Sequence, residues 1–413
     1  MKSKLRQTLL VLALAVPLVL LACGGGDEEA TPPAETGEAV EEVECDEPFT
    51  VGAAMGLTGF ITPWDSSSWN MAKLRIEEIN AAGGLLGCQI ETVESDTKSD
   101  INLGAVAAKE VLEQGADFVM VTCDYDFGGP AAREANAQGT IAFSPCAASP
   151  KFGAQGIGPY AFTMATGTPG QGAILAEWAY EQGYRNGYVL LDETVEYDRT
   201  LCGYFKERWS QFDGTTIAGE DTFKNTDPSI SAQITRLKGL SEQPDFIFFC
   251  SYPPGGASAL KQIRDAGVDL PVVTGESMDG DFWLEAVPNL SDFYNVTYGS
   301  IFGDDPDPKV NELFDRYEET YGERPILSHA LTGYSVIEAL ERAAEMAGSL
   351  EPDALKEALE SFQDEPLITG PTSFNPELHM NVSRSMRIME IQDGEPSYVE
   401  TFTPEQVPEV DFS

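Results

Sequence analysis

Seven cysteines, two histidines and a large excess of carboxylates are the residues of this 413-residue chain with the most chemistry to offer. Cys45, Cys88, Cys123, Cys146, Cys202 and Cys250 stand outside any CxxC pair, and His329 and His379 are isolated from them, so zinc-type spacing is lacking. With Cys23 set apart, these cysteines form an even set, which in an exported chain suggests disulfides with 15 pairings open. No GxSxG elbow, HExxH or P-loop occurs, and the sequence brings neither histidine to a nucleophile. The glycine-rich "GGLLG" at Gly83 closes a helical pattern instead of opening one, so it reads as a C-cap and turn rather than a dinucleotide loop. Binding without turnover, and without a metal or cofactor, is the expectation.

The first residues set the compartment. Lys2, Lys4 and Arg6 precede an apolar run from Leu9 to Leu21, long enough for a signal-peptide core but short of the roughly 20 residues of a membrane span. The run ends in "LLAC", which resembles the bacterial lipobox, and that resemblance implies a lipid on Cys23 as the mature first residue. The segment 23–47 is rich in acid, without Lys or Arg, and too poor in large apolar side chains to offset the entropy of ordering. It is expected to be a disordered tether with a reach of about 25 Å. The soluble part would then work at the extracytoplasmic face of a membrane, in a periplasm or at a cell surface.

A formal charge of -43 opposes nucleic acid and anionic lipid headgroups as partners. Removal of the signal segment, 1–22, and the tether leaves more chain than one ordinary core uses, which points to two lobes. No later segment is apolar enough over a sufficient length to cross a bilayer.

These residues need elements to hold them. From Phe49, "FTVGAAMG" reads as a buried strand, and "SSWNMAKLRIEEINAAGG" as a helix with a serine start and a glycine stop. "QIETVESD", "DFVMVTC" and "TIAFSPC" follow as strands with helices between them. The rhythm repeats in "NGYVLLDE", "GTTIAGEDTF", "DFIFFCSYP" and "PVVTGE". Alternation of this kind demands an α/β fold of two doubly wound, parallel-sheet lobes with helices on both faces. The segment "SRSMRIMEIQDGEPSYVETF" reads as a hairpin turning at Asp393-Gly394. In such lobes the residues just after each strand face a shared cleft.

On "GLTG" at Gly56, "EEINAAGGLLG" at Glu77, "FSPCAASP" at Phe143, "FIFFCSYPPGGASALKQIRDAG" at Phe246 and "ITGPTSFNP" at Ile368, the chain resembles the type I periplasmic binding proteins. The likeness is to the leucine/isoleucine/valine-binding branch serving ABC importers. The resemblance implies a clamshell crossed three times by the chain, near Thr166, Phe302 and Thr372. Lobe one would hold 48–165 and 303–372, lobe two 166–302 and 373–402, with a tail over 403–413. It also implies delivery of a small solute to an ABC permease, with the protein expected to be a monomer.

By the same resemblance, loop amides and hydroxyls near Tyr125, Ala147 and Ala148 would hold a ligand carboxylate, backbone amides sufficing where side chains do not. Tyr125 and Ala148 stand where hydroxyl-bearing serine and threonine are common, a departure from a standard α-carboxylate site. Tyr197, Tyr252, Trp64 and His329 would line the pocket. Glu276 would take the ammonium, with Asp279 its rival, while Phe60 and Trp69 are expected to be packing residues. Aromatics with one acid suit a branched-chain or other hydrophobic amino acid; aromatic acids, amides, urea or a sensing role remain as alternatives. In the family's topology the expected disulfides join Cys45 to Cys88, Cys123 to Cys146 and Cys202 to Cys250.

Overall fold

The computed structural model describes Cys45 and residues 47–410. The signal segment, Cys23, nearly all of the tether and residues 411–413 of the tail lie outside it.

The first sheet is built from β1 (Phe49–Met55), β2 (Ile90–Asp96), β3 (Phe118–Val121), β4 (Ile141–Ser144) and β5 (Ala161–Thr163), in the order β2-β1-β3-β4-β5. Every pairing in it is parallel. Parallel strands need crossover connections, and α1 (Thr62–Ala82), α2 (Gly104–Glu113) and α3 (Tyr125–Ala137) supply them. The second half follows through α4 (Thr168–Glu181), β6 (Asn186–Asp192), α5 (Glu196–Trp209), β7 (Thr216–Phe223), α6 (Ser231–Lys238), β8 (Phe246–Cys250), α7 (Gly255–Asp265), β9 (Val272–Thr274) and β10 (Phe293–Thr297). The chain then runs through α8 (Pro308–Tyr321), α9 (His329–Ala347), α10 (Pro352–Glu360) and a small ladder of β11 (Glu365–Leu367) with β12 (Gly370–Thr372). It ends in β13 (Met386–Gln392) and β14 (Glu395–Phe402), paired as an antiparallel hairpin about Asp393 and Gly394.

The two sheets differ more than the sequence rhythm suggests. The second has seven strands, ordered β14-β13-β10-β9-β8-β6-β7, and β13 runs antiparallel to β10. Each sheet is covered on both faces. In the first, Phe118, Phe143 and Phe162 pack with Trp69 of α1 and Ile337 and Leu340 of α9. In the second, Phe205 and Trp178 cover one face, while Ile234 and Leu260 pack with Phe249 on the other.

The third crossing does not fall at Thr372. Phe374 joins the first-sheet core, its ring 5.7 Å from Phe162, and His379 stacks on Phe162 at 3.8 Å. The His379 carbonyl also accepts from the Thr163 amide. Apolar and ring contacts therefore hold the segment to the first lobe, and the second sheet is rejoined only at Met386.

The lobe-one core depends on one close helix crossing. Gly333 of α9 lies against Ser68 of α1, and a Cβ there would collide with the Ser68 backbone carbonyl. Gly333→Ala is therefore expected to destabilise the protein by at least about 1–3 kcal/mol through overpacking. Equilibrium denaturation checks this, and unchanged stability would show that the two helices are free to part.

Candidate functional site

The strand ends of both sheets open on a cleft of about 500 Å³, counting its mouth. From the loop after β1 and the start of α1 come Phe60, Ile61 and Trp64; from the ends of β3 and β4 come Cys123, Asp124 and Cys146, and from α3 comes Phe127. The second lobe contributes Val195 and Tyr197 after β6, Tyr252 after β8, and Glu276 and Ser277 after β9. His329, the first residue of α9, completes the wall.

Glu276 opens a single turn of 3-10 helix directly after β9 and is only 2% exposed. A side chain on Gly275, the residue before it, would collide with the Tyr197 hydroxyl and the Leu201 side chain, so anything larger there would have to push the cleft wall aside. Tyr298 and Gln171 stand beside the Glu276 carboxylate and favour its charged form, yet Oε2 has no hydrogen-bond partner. His329 Nε2 lies 3.9 Å from that oxygen. Burial outweighs these favourable contacts and pushes the carboxyl up to about 7. A desolvated carboxylate with a vacant lone pair is an acceptor for a ligand cation.

The rings are arranged around it. Phe60 meets Phe127 edge-on at 5.3 Å and Tyr252 at 6.2 Å, and Trp64 meets Phe282 edge-on at 5.7 Å. Tyr252 and Phe282 come from the second lobe, so these rings bridge the cleft. Two polar contacts also cross it: the Glu196 amide donates to Asp126 Oδ2 at 2.7 Å, and Lys151 pairs with Glu196 at 2.9 Å.

A periplasmic binding protein family model matches residues 48–396. The chain belongs to that family. Its members bind solutes and do not turn them over. This binding protein is 23% identical to a Leu/Ile/Val-binding protein of Rhizobium johnstonii, over 79% of the chain and 87% of the relative. Among solved structures it is similar to the branched-chain amino acid transporter substrate binding protein of Streptococcus pneumoniae in complex with isoleucine. That likeness has a TM-score of 0.76 at 24% identity and covers 87% of this chain and 100% of the other. A solute binding protein from R. palustris in complex with benzoate matches with a TM-score of 0.73 at 15% identity, over 88% of this chain and 99% of that one. No helix among the described residues is long and apolar enough to cross a membrane.

Of the residues singled out from the sequence, Trp64, Tyr197, Tyr252, Glu276 and His329 meet at the cleft of the binding protein. Tyr125 does not line it. It is the first residue of α3, its ring packs on the small-residue core between α2 and α3, and its hydroxyl accepts from Arg133. Asp124, one position earlier, faces the cleft because its backbone adopts φ 89°, a left-handed conformation that costs a non-glycine residue energy. Ala147 and Ala148 are buried in the packing of the two lobes and are not among the lining residues.

Part of the anion nest expected near them is engaged by the protein itself. The Cys123 amide donates to Asp65 at 2.8 Å, and the amides of Cys146 and Ala147 donate to the Ser144 hydroxyl at 3.4 and 3.0 Å. Asp279 is likewise committed, receiving the amide and hydroxyl of Ser328 at 2.7 and 2.6 Å. Phe60, expected to be a packing residue, lines the mouth and is 38% exposed, whereas Trp69 is buried in the core. Asp124 directly follows the strand predicted to end at Cys123 and is passed over all the same, while Phe127 and Val195 carry no signal beyond their closeness to β3 and β6.

Cys45 joins Cys88, Cys123 joins Cys146 and Cys202 joins Cys250, with Cα separations of 5.3, 4.9 and 6.1 Å. The second of these forms part of the cleft wall. His329 approaches both of its sulfurs within 4.8 Å, but sulfurs bonded to each other offer no thiolate to a metal.

Proposed function

We propose that this protein is an exported solute-binding lipoprotein, anchored through Cys23, that captures a small ammonium-bearing amphipathic molecule and delivers it to an ABC permease. The observation that carries the reading is Glu276: a buried carboxylate with an unpartnered oxygen, facing a cleft otherwise walled by rings. In a desolvated cleft such a charge interacts far more strongly with a cation than in water. Branched-chain amino acids are the first ligands to try, since relatives are named for them.

The two sheets and their helices act as the closing halves, which would make the rings on either side meet over the guest. Calorimetry combined with small-angle scattering tests this. Leucine, isoleucine, valine and their amides and amines form the first series, and at least one is expected to release heat and reduce the radius of gyration. Indifference of both measurements to every member would sink the reading.

A further inference from the structure

An amino acid brings two charges into a cleft, and this cleft has a place for only one of them. Among the residues that line it there is no Lys or Arg, while Asp124 and Glu276 both do. The amides of Cys123, Cys146 and Ala147, which in an open nest would hold a carboxylate, are spent on Asp65 and Ser144. The lining hydroxyls are few and partly committed as well, since Tyr197 donates to Gln171 at 2.8 Å and Ser277 donates to the Ser251 carbonyl at 2.8 Å. A ligand carboxylate would thus be stripped of water beside Asp124, while His329, the lining side chain able to carry a positive charge, already faces Glu276 at 3.9 Å and Asp279 at 3.4 Å; an unpaired buried charge is among the costliest groups a site can accept.

The Asp124 carboxylate is fixed by its backbone. Oδ1 accepts from the amides of Asp126 and Phe127 at 2.7 and 3.3 Å, which caps α3 and keeps the acid at the cleft wall. Asp126, in the first turn of α3, accepts from the Glu196 amide across the cleft, and on the far side Asp198 is fully buried with neither carboxylate oxygen hydrogen-bonded. Asp124 is thus the acid that a ligand group at this wall of the cleft would meet. Rings attract cations as well, through the negative faces of their π systems, and Phe60, Phe127 and Tyr252 surround the space between.

We propose that the ligand is an organic amine without a free carboxylate: its ammonium on Glu276, its apolar body among Trp64, Phe60, Phe127 and Tyr252, and a neutral or donor-bearing far end, such as a carboxamide, toward Asp124. The proposal rests on the reading that the cleft captures an ammonium-bearing solute, and it narrows that class away from amino acids and aromatic acids. Discrimination arises from repulsion of the wrong partner as much as from attraction of the right one.

The test uses the purified protein, unfolded and refolded to remove any bound guest, in an amine-free buffer. Calorimetric affinities are compared for leucine, leucinamide, 3-methylbutylamine, 2-phenylethylamine and benzoate. Leucinamide or one of the amines is expected to bind at least tenfold more tightly than leucine, and benzoate not at all. Tighter binding of leucine than of its amide overturns the proposal while leaving solute capture in place. Binding of benzoate alone overturns both this proposal and the role of Glu276, and absence of binding across the series does the same.

Discussion

Replacing Glu276 with glutamine is expected to weaken binding of an amine by about 30-fold to several thousand-fold. Truncating one side of a buried, hydrogen-bonded charge pair costs roughly 2–5 kcal/mol, and each 1.4 kcal/mol is about tenfold in affinity. The carboxamide keeps the shape of the carboxylate beside Tyr298 and Gln171, so the fold should survive. The ligand-free protein should in fact become more stable, because the desolvation that raises this carboxyl to about 7 disappears with the charge. Opposite shifts of affinity and melting temperature in one variant would separate a ligand contact from a structural acid. Unchanged affinity would remove Glu276 from the site.

Acidification should loosen the ligand while it tightens the fold. Glu276 and Asp124 are each raised to about 7, both chiefly by burial and Asp124 also by the charge of Asp126. Below that pH they are neutral in the ligand-free cleft, so a cation must displace a proton to bind. Affinity for an amine, itself protonated throughout, should fall by about tenfold per pH unit below 7 for one displaced proton, and more steeply if both acids respond. The groups facing Glu276 are His329, Asp279, Tyr197, Tyr298 and Arg384.

For stability the sign is reversed. A folded carboxyl above its unfolded value stabilises the native state fully below about pH 4, and that contribution is lost as pH rises through about 7. Asp65, raised by burial to about 7, acts in the same direction. Three such groups amount to several kcal/mol at about 1.4 kcal/mol per unit, and self-repulsion of a chain with charge -43 adds to them. Ligand-free protein should therefore melt at a clearly higher temperature at pH 5 than at pH 8. A flat or rising profile over that range would mean that these acids are better solvated than their burial implies.

Much of this was legible in the residues. Strand and helix periods announced the doubly wound plan, and the family resemblance, applied at the strand ends that face the cleft, led to Tyr197, Tyr252 and Glu276. The resemblance fixes a place along the chain and not the direction of a side chain. At β3 it pointed to Tyr125, whereas the left-handed backbone of Asp124 turns that acid inward and leaves the tyrosine on the helix core. Phe60 read as a packing residue because exposure at the mouth has no local signature. The third crossing was misplaced because Phe374 and His379 owe their position to Phe162, more than two hundred residues earlier, and no local pattern encodes so distant a partner. The three-residue strand β5 is too short for period-two alternation to show.

The disulfides have a mechanical meaning. Two of them lie within the first half and the third ties α5 to β8 within the second, so among the described residues none spans the cleft. Cross-links of this kind narrow the unfolded ensemble of each half and put no clasp on the swing between the halves. Oxidising surroundings would harden both jaws and leave the stroke untouched, and a reductant would slacken a jaw without touching the hinge.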